Sequence, residues 1–273
     1  MLVAAAQMKS GPTPAENLTK AERVIAESAG HGAKLVVFPE VYMSWLADAT
    51  PEMKRAISEP VDGPFVQGLG AAARKAGVWV VSGMMETPES SEPRVYNTTV
   101  VLDDSGHLVG SYRKTHLFDA FGYLESDTIK PGDKLFDPID TPFGRMGLFV
   151  CYELRFPEVA RYGAERGADF FVVPSGWVNG SMKEVHWRSL VMARAIENTA
   201  YVVAADQVLN IYLGRSLIVD PMGVLLAEGT ETEGVVYGDL DPARIAEVRG
   251  KVPSTLHRRI ELYPPPIRVA VRD

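Results

Sequence analysis

Strands and helices alternate along this chain, but hairpin pairs are interleaved among them, and that mixture disfavours a purely parallel, doubly wound sheet. Leu2–Met8 reads as a buried strand and Thr13–Gly30 as an amphipathic helix with Leu18, Ala21, Val24, Ile25 and Ser28 on one face. Leu35–Phe38 is a second buried strand, Pro64–Gly77 a helix and Val78–Ser82 a third strand. A strand at Val95–Val101 then meets Asp103-Asp-Ser-Gly106, a turn signal that leads into His107–Leu117. The second half repeats the mixture. A strand unit over Asp140–Cys151 precedes a helix over Phe156–Gly167, a strand over Asp169–Val173 and the longest helix, Lys183–Thr199. Strands at Tyr201–Ala205, Ser216–Val219, Val224–Ala227 and Val235–Leu240 follow, then a short helix over Pro242–Arg249. No low-complexity linker divides the 273 residues, so one α/β domain is expected, with an extended tail from about Pro253. Tyr263-Pro-Pro-Pro266 within that tail is expected to be extended and to drape across a subunit partner.

Charge and cysteine usage exclude several classes of function. The net charge is −7 and no basic run exceeds Arg258-Arg259, which argues against nucleic-acid binding. No apolar run approaches the roughly 18 residues needed to span a bilayer. The N-terminal residues lack a charged, signal-type segment. One cysteine cannot form an intrachain disulfide, so a reducing, cytoplasmic setting is expected. The five histidines have no short ligand spacing, so no metal site is expected.

The single cysteine, Cys151, stands between the apolar strand Arg145–Val150 and the helical pattern that Tyr152 opens. A thiol at such a turn projects from a sheet end with backbone N–H groups nearby, which suits a nucleophile facing an oxyanion site. The bland alternative is a small buried hydrophobe. Glu40 ends the apolar strand Leu35–Phe38, where α/β folds place active sites, and a carboxylate there suits a general base. Alternation puts Tyr112, Lys114 and His116 on one face of their strand, so Lys114 is expected to be buried and paired, and Arg113 to be solvated. His116 and His186 are rival partners for the thiol, since a Cys–His dyad would serve the same chemistry. Glu125, on chemistry alone, is an ordinary loop carboxylate.

Phe38-Pro-Glu40, Tyr112-Arg-Lys-Thr-His-Leu117 and Phe149-Val-Cys-Tyr-Glu-Leu-Arg-Phe-Pro-Glu158 occur in that order, with 74 residues from Glu40 to Lys114 and 37 from Lys114 to Cys151. Together they resemble the Glu, Lys and Cys blocks of the nitrilase (carbon–nitrogen hydrolase) superfamily, over Gln7 to about Arg259. The resemblance implies a four-layer α-β-β-α sandwich, usually dimerised. It implies Cys151 as nucleophile, Glu40 as general base, Lys114 and the backbone N–H of Tyr152 as oxyanion holders, and Glu125 as the family's second glutamate. No cofactor is implied. Lys114–Asp119, Cys151–Pro157, His186-Trp187, Ala193–Asn198 and Gly214–Pro221 are similar to the omega-amidase and deaminated-glutathione amidase branch. That branch implies a small carboxylate-bearing amide as substrate. The segment Gln207–Gly214 is shorter than the loop that borders the pocket in many of those relatives. An aliphatic amidase, an N-carbamoyl amidohydrolase, a nitrilase and a non-catalytic ligand-binding member remain open.

Tyr42, Ser175 and Trp177 follow strand ends and are candidates to line the same cleft. For an anionic substrate, Lys183, Arg188 and Arg215 are equal candidates to hold its carboxylate. Arg155 is expected to pair locally with Glu158 or another carboxylate.

Overall fold

A computed structural model describes residues 1–89 and 91–263. Two sheets lie face to face, each covered on its outer side by helices, which gives the four layers α-β-β-α. The first sheet holds β1 (Leu2–Gln7), β2 (Leu35–Val37), β3 (Trp79–Glu86), β4 (Val95–Leu102) and β5 (Leu108–Arg113). The second holds β6 (Ile139–Thr141), β7 (Gly144–Leu148), β8 (Phe170–Ser175), β9 (Tyr201–Asp206), β10 (Leu217–Val219) and β11 (Leu225–Glu228). β12 (Gly234–Asp239) then returns to the first sheet and pairs antiparallel with β1, Leu2 opposite Asp239 and Gln7 opposite Gly234. The orders are β12-β1-β2-β3-β4-β5 and β11-β10-β9-β8-β7-β6, with a short strand at Ile129–Lys130 beside β4.

In each sheet three parallel strands occupy the centre and antiparallel strands flank them. β1, β2 and β3 run together in the first, and β7, β8 and β9 in the second. The central strands are therefore buried on both faces and read as continuous apolar runs. Alternation assigns each side chain to a layer. Val3, Ala5, Leu35, Val37 and Val81 face the second sheet. Ala4, Ala6, Val36 and Val80 face the helices α1 (Pro14–Gly30) and α3 (Pro64–Ala76). No strong repeat at a fixed period is visible in the sequence, yet the two sheets share a plan. The likeness lies in strand order and direction.

Local chemistry explains the helices. In α1, Thr13 caps Glu16 N through its hydroxyl, Pro14 supplies the first-turn φ, and the buried residues Asn17, Ala21, Val24, Ile25 and Ser28 recur every three or four positions. α3 ends on Gly77 in the left-handed region at φ 66°. A short helix, α2 (Pro51–Ile57), shows no apolar periodicity because it buries no residue fully, and it escapes sequence reading for that reason. Cys151–Arg155 form a 3₁₀ turn, so α4 (Pro157–Glu165) starts after Phe156 and not within the cysteine block. α5 (Lys183–Asn198) and α4 cover the second sheet, and α6 (Pro242–Lys251) closes the described chain's last helix. The extended tail expected from Pro253 contains a run of turns and a 3₁₀ turn at Ile260–Leu262, so it is not simply extended. The Pro264-Pro265-Pro266 segment lies outside the described residues. Among the described residues no helix is long and apolar enough to cross a membrane.

This topology gathers the site. Parallel strands end on the same side, and β5, antiparallel to β4 and so codirectional with β3, delivers its carboxyl end there too. The residues that follow β2, β5, β7, β8 and β9 therefore converge at one edge of the two-sheet sandwich.

Candidate active site

Glu40 sits three residues beyond β2 and is 4% exposed. Its Oε1 accepts from Lys114 Nζ at 2.8 Å and from Asn97 Nδ2 at 2.7 Å, and its Oε2 accepts from the Gly176 N–H at 2.7 Å. Its backbone carbonyl accepts from Gln207 Nε2 at 2.8 Å. The turn is made possible by Gly83 on β3, where a Cβ would lie 2.3 Å from Val41 N and 2.7 Å from the Glu40 carbonyl carbon. Val41 itself is held at φ 43°, a conformation a β-branched residue adopts only when its surroundings impose it.

Lys114 follows β5 and is 2% exposed. Its ammonium also reaches Glu125 Oε2 at 2.8 Å, so it bridges two carboxylates. Glu125 is fixed further by the Phe118 N–H at 2.6 Å and by Asn97 Nδ2 at 3.1 Å. Burial alone would push the Lys114 ammonium down, but Glu125 and Glu40 outweigh it and hold its pKa well above the ordinary lysine value. The ammonium is thus held charged in a buried site.

Cys151 lies beside this bridge, buried, at φ 46°. The left-handed backbone turns the chain sharply from β7 into the 3₁₀ turn. Burial raises the thiol well above its usual range, the Glu40 charge raises it further, and Lys114 opposes both. These effects together favour the protonated thiol, with Glu40 next to it. The amide of Tyr152 is among the first of the 3₁₀ turn, positions whose N–H groups find no partner within their own helix.

Glu153 is the residue that sequence reasoning missed. It is fully buried, and its Oε2 accepts from Val150 N at 2.8 Å, which closes the cysteine turn. Its Oε1 accepts from the Tyr112 hydroxyl at 2.7 Å and from Thr115 N and Oγ1 at 3.0 and 2.7 Å. One carboxylate thus ties the Cys151 turn to the loop that carries Lys114. Asn97, in the middle of an otherwise ordinary strand, was missed too. The signal for both is a polar side chain on a buried face. Tyr212 is a third; its ring would lie 2.9 Å from a Cβ on Gly176, and it belongs to the short Gln207–Gly214 segment, which folds as a hairpin at the rim.

Other candidates are placed differently. Tyr42 is not brought to this cluster. Its ring stacks on Phe38 and its hydroxyl donates to the Asn17 carbonyl of α1 at 3.1 Å, because the turn at Val41 directs it into the core under the helices. Ser175 is fully buried, and its hydroxyl donates to the Val173 carbonyl at 3.4 Å instead of facing the cleft. Trp177 is part of the wall: its N–H donates to Asp206 Oδ1 at 2.7 Å and its indole N–H to the Lys183 carbonyl at 3.0 Å. Arg155 forms no ion pair with Glu158; its guanidinium lies over the Trp177 ring, 5.0 Å from the centroid, and beside His186. Arg113 is not merely solvated, for it pairs with the buried Glu86 at 2.5 Å. His116 stacks on Phe156 at 4.2 Å and bonds Thr115, and His186 faces Arg155, so both imidazoles are engaged away from the thiol.

The model of the carbon-nitrogen hydrolase family matches residues 2–250. This chain belongs to the carbon–nitrogen hydrolase family. It is 35% identical over 268 residues to human omega-amidase NIT2, with 94% of each chain covered. It is 36% identical over 271 residues to the deaminated glutathione amidase of Synechocystis, covering 94% of this chain and 97% of that one. The crystal structure of Nit3 from Saccharomyces cerevisiae, a member of branch 10 of the nitrilase superfamily, superposes with a TM-score of 0.84 at 33% identity, over 95% of this chain and 96% of that chain. As a carbon–nitrogen hydrolase, the chain is a cysteine-dependent amidase, and its four layers are those of the nitrilase superfamily.

Proposed function

We propose that this enzyme hydrolyses a small, carboxylate-bearing amide, a 2-oxo acid omega-amide or a deaminated-glutathione-like compound, to the acid and ammonia through a thioester on Cys151. The observation that carries the reading is the buried bridge Glu40–Lys114–Glu125 set beside the single cysteine. Omega-amidases and deaminated glutathione amidases are among the relatives it matches, which supports the substrate class.

Glu40 takes the thiol proton as Sγ attacks the amide carbon. The carbonyl π electrons move to oxygen, and Lys114 and the Tyr152 N–H hold the resulting oxyanion. Such a donor contributes about 10²–10³ in turnover. Collapse of the intermediate breaks the C–N bond, and ammonia leaves with the proton from Glu40. Water then attacks the thioester and passes a proton to Glu40, and the acid departs as Sγ recovers that proton. Glu125 fixes the Lys114 ammonium and positions the amide. Each proton and acyl transfer uses a side chain of this chain, so the scheme needs no cofactor. The reading extends to one catalytic domain over 1–273, a cytoplasmic setting and a homodimer.

Ammonia release from a panel tests it: a 2-oxo acid omega-amide, deaminated glutathione, a simple aliphatic amide, an N-carbamoyl amino acid and a nitrile. Release from the carboxylate-bearing amides that vanishes in Cys151→Ala is expected. Turnover that survives the substitution, or a preference for the carbamoyl compound or the nitrile, overturns the reading.

A further inference from the structure

The sequence offers three cations for an anionic group, and the structure separates them; Arg155, which lies over the same Trp177 ring without a carboxylate partner among the described residues, stands beside the one it leaves unpaired. Arg188 pairs with Glu228 at 3.3 Å. Arg215 pairs with Glu184 at 3.5 Å and with Glu231. Lys183 is 6% exposed and has no ion pair among the described residues. An ammonium that is partly desolvated by its neighbours and has no anion beside it is held at a cost, which an arriving carboxylate offsets.

What surrounds Lys183 is aromatic. Its Nζ lies 4.1 Å from the Phe121 ring centroid, 4.8 Å from Phe118 and 5.5 Å from Trp177. Ring faces attract a cation but do not neutralise it. Burial, and then the nearby Arg155 guanidinium, push the ammonium below the ordinary lysine value, and both effects would be relieved by an arriving anion. The main chain at Lys183 is pinned as well, its N–H donating to the Gly180 carbonyl at 3.1 Å and its carbonyl accepting from the Trp177 indole at 3.0 Å. It is the first residue of α5, where the helix adds partial positive charge.

The box shares walls with the reaction centre. Phe118 gives its N–H to Glu125 Oε2 and packs its ring against Tyr152 at 5.2 Å. Trp177 directly follows Gly176, whose N–H holds Glu40. An acyl group on Cys151 therefore has this box beside it, with ring surface between.

We propose that the Lys183 ammonium, in its box of Phe118, Phe121 and Trp177, is the receptor for the substrate's distal carboxylate and selects short dicarboxylic acid monoamides over neutral amides. The inference rests on the amidase reading for its kinetic arm only. The carboxylate pairs with Nζ, the methylene chain lies against the rings, and the amide carbon reaches Sγ of Cys151.

Two measurements test it, with succinamate as the charged probe and butanamide as its neutral counterpart. In active enzyme, Lys183→Met is expected to lower the ratio of kcat/KM for succinamate to that for butanamide at least about tenfold, mostly through KM, with Lys183→Arg recovering part of it. In a Cys151→Ala background, calorimetry is expected to show succinamate binding that Lys183→Met weakens by a similar factor. An unchanged ratio, an equal loss for both amides, or no succinamate binding to the Cys151→Ala protein overturns the proposal. If neither amide is hydrolysed while succinamate still binds through Lys183, the amidase reading falls and the carboxylate site stands.

Discussion

The Tyr112 hydroxyl donates to Glu153 Oε1 at 2.7 Å, joining the end of β5 in one sheet to the cysteine turn of the other. The same oxygen takes Thr115 N and Oγ1, and the other oxygen takes Val150 N, so one carboxylate ties the Cys151 turn to the Lys114 loop. Glutamine at 153 would have to aim its NH₂ at a backbone or hydroxyl donor whichever way it turned. Glu153→Gln is therefore expected to lose about 1–3 kcal/mol of stability, the cost of buried groups left unpaired, and to lower kcat more than it raises KM. Tyr112→Phe, which removes one donor and leaves the others, is expected to have a smaller effect on both. Urea unfolding alongside steady-state kinetics checks this; a kcat that holds while stability falls would limit Glu153 to a structural role.

Lys114→Met leaves two buried carboxylates, Glu40 and Glu125, facing one another with no cation between them. The expected outcome is a loss of turnover of at least about 10²–10³, with destabilisation of about 3–5 kcal/mol unless one carboxylate takes up a proton. His116→Ala and His186→Ala are expected to keep acylation, since their rings are engaged with Phe156 and Arg155. Single-turnover ammonia release separates the two schemes. Acylation abolished by either histidine change and only weakened by Lys114→Met would favour a Cys–His dyad.

The three blocks that carry Glu40, Lys114 and Cys151 are legible in the sequence because each is local: an apolar strand followed by a polar residue. The apolar runs of β2, β8 and β9 are legible for the same reason. Asn97 and Glu153 are not, because their partners lie 57 residues away at Glu40 and 41 away at Tyr112. Tyr42 shows the opposite failure. Proximity to Glu40 in the chain suggests the cleft, but the left-handed backbone at Val41 turns the ring into the helix layer. The division into two sheets is likewise set by pairing at long range, above all β12 beside β1.

Glu153 and Asp206 are both fully buried carboxyl groups at the seam, yet they titrate in opposite directions. For Glu153, burial pushes up, but hydrogen bonds from His116, Thr115, Tyr112 and Val150 N win and hold it below the ordinary glutamate value. For Asp206, burial dominates and raises it well above the ordinary aspartate value, and its Oδ2 has no protein partner. Linkage then gives opposite signs. Glu153 contributes stability that is present above the unfolded glutamate pKa and lost as pH falls through its depressed native value. Asp206 contributes stability that is full below the unfolded aspartate pKa and lost as pH rises through its elevated native value. Urea midpoints measured across pH are expected to show that Asp206→Asn flattens the decline on the rising side. The acid limb should persist in that variant and shrink in Glu153→Gln; a decline unaltered by Asp206→Asn would mean that another group sets it.

The thiol of Cys151 sits between opposing charges, and removing either should move it predictably. Burial raises it first, the Glu40 carboxylate raises it further, and the Lys114 ammonium lowers it. Neutralising Glu40 by Glu40→Gln leaves the ammonium less opposed, so the thiolate forms at lower pH. Lys114→Met has the reverse sign. The rate of Cys151 alkylation by iodoacetamide, followed by intact mass as a function of pH, is expected to have its midpoint shifted down in Glu40→Gln and up in Lys114→Met. Turnover in Glu40→Gln is nevertheless expected to collapse, because in the proposed scheme Glu40 carries the proton to departing ammonia. The separation matters: a thiolate that becomes easier to form while hydrolysis stops identifies Glu40 as a proton carrier. Midpoints unchanged in both variants would show that burial alone governs the thiol.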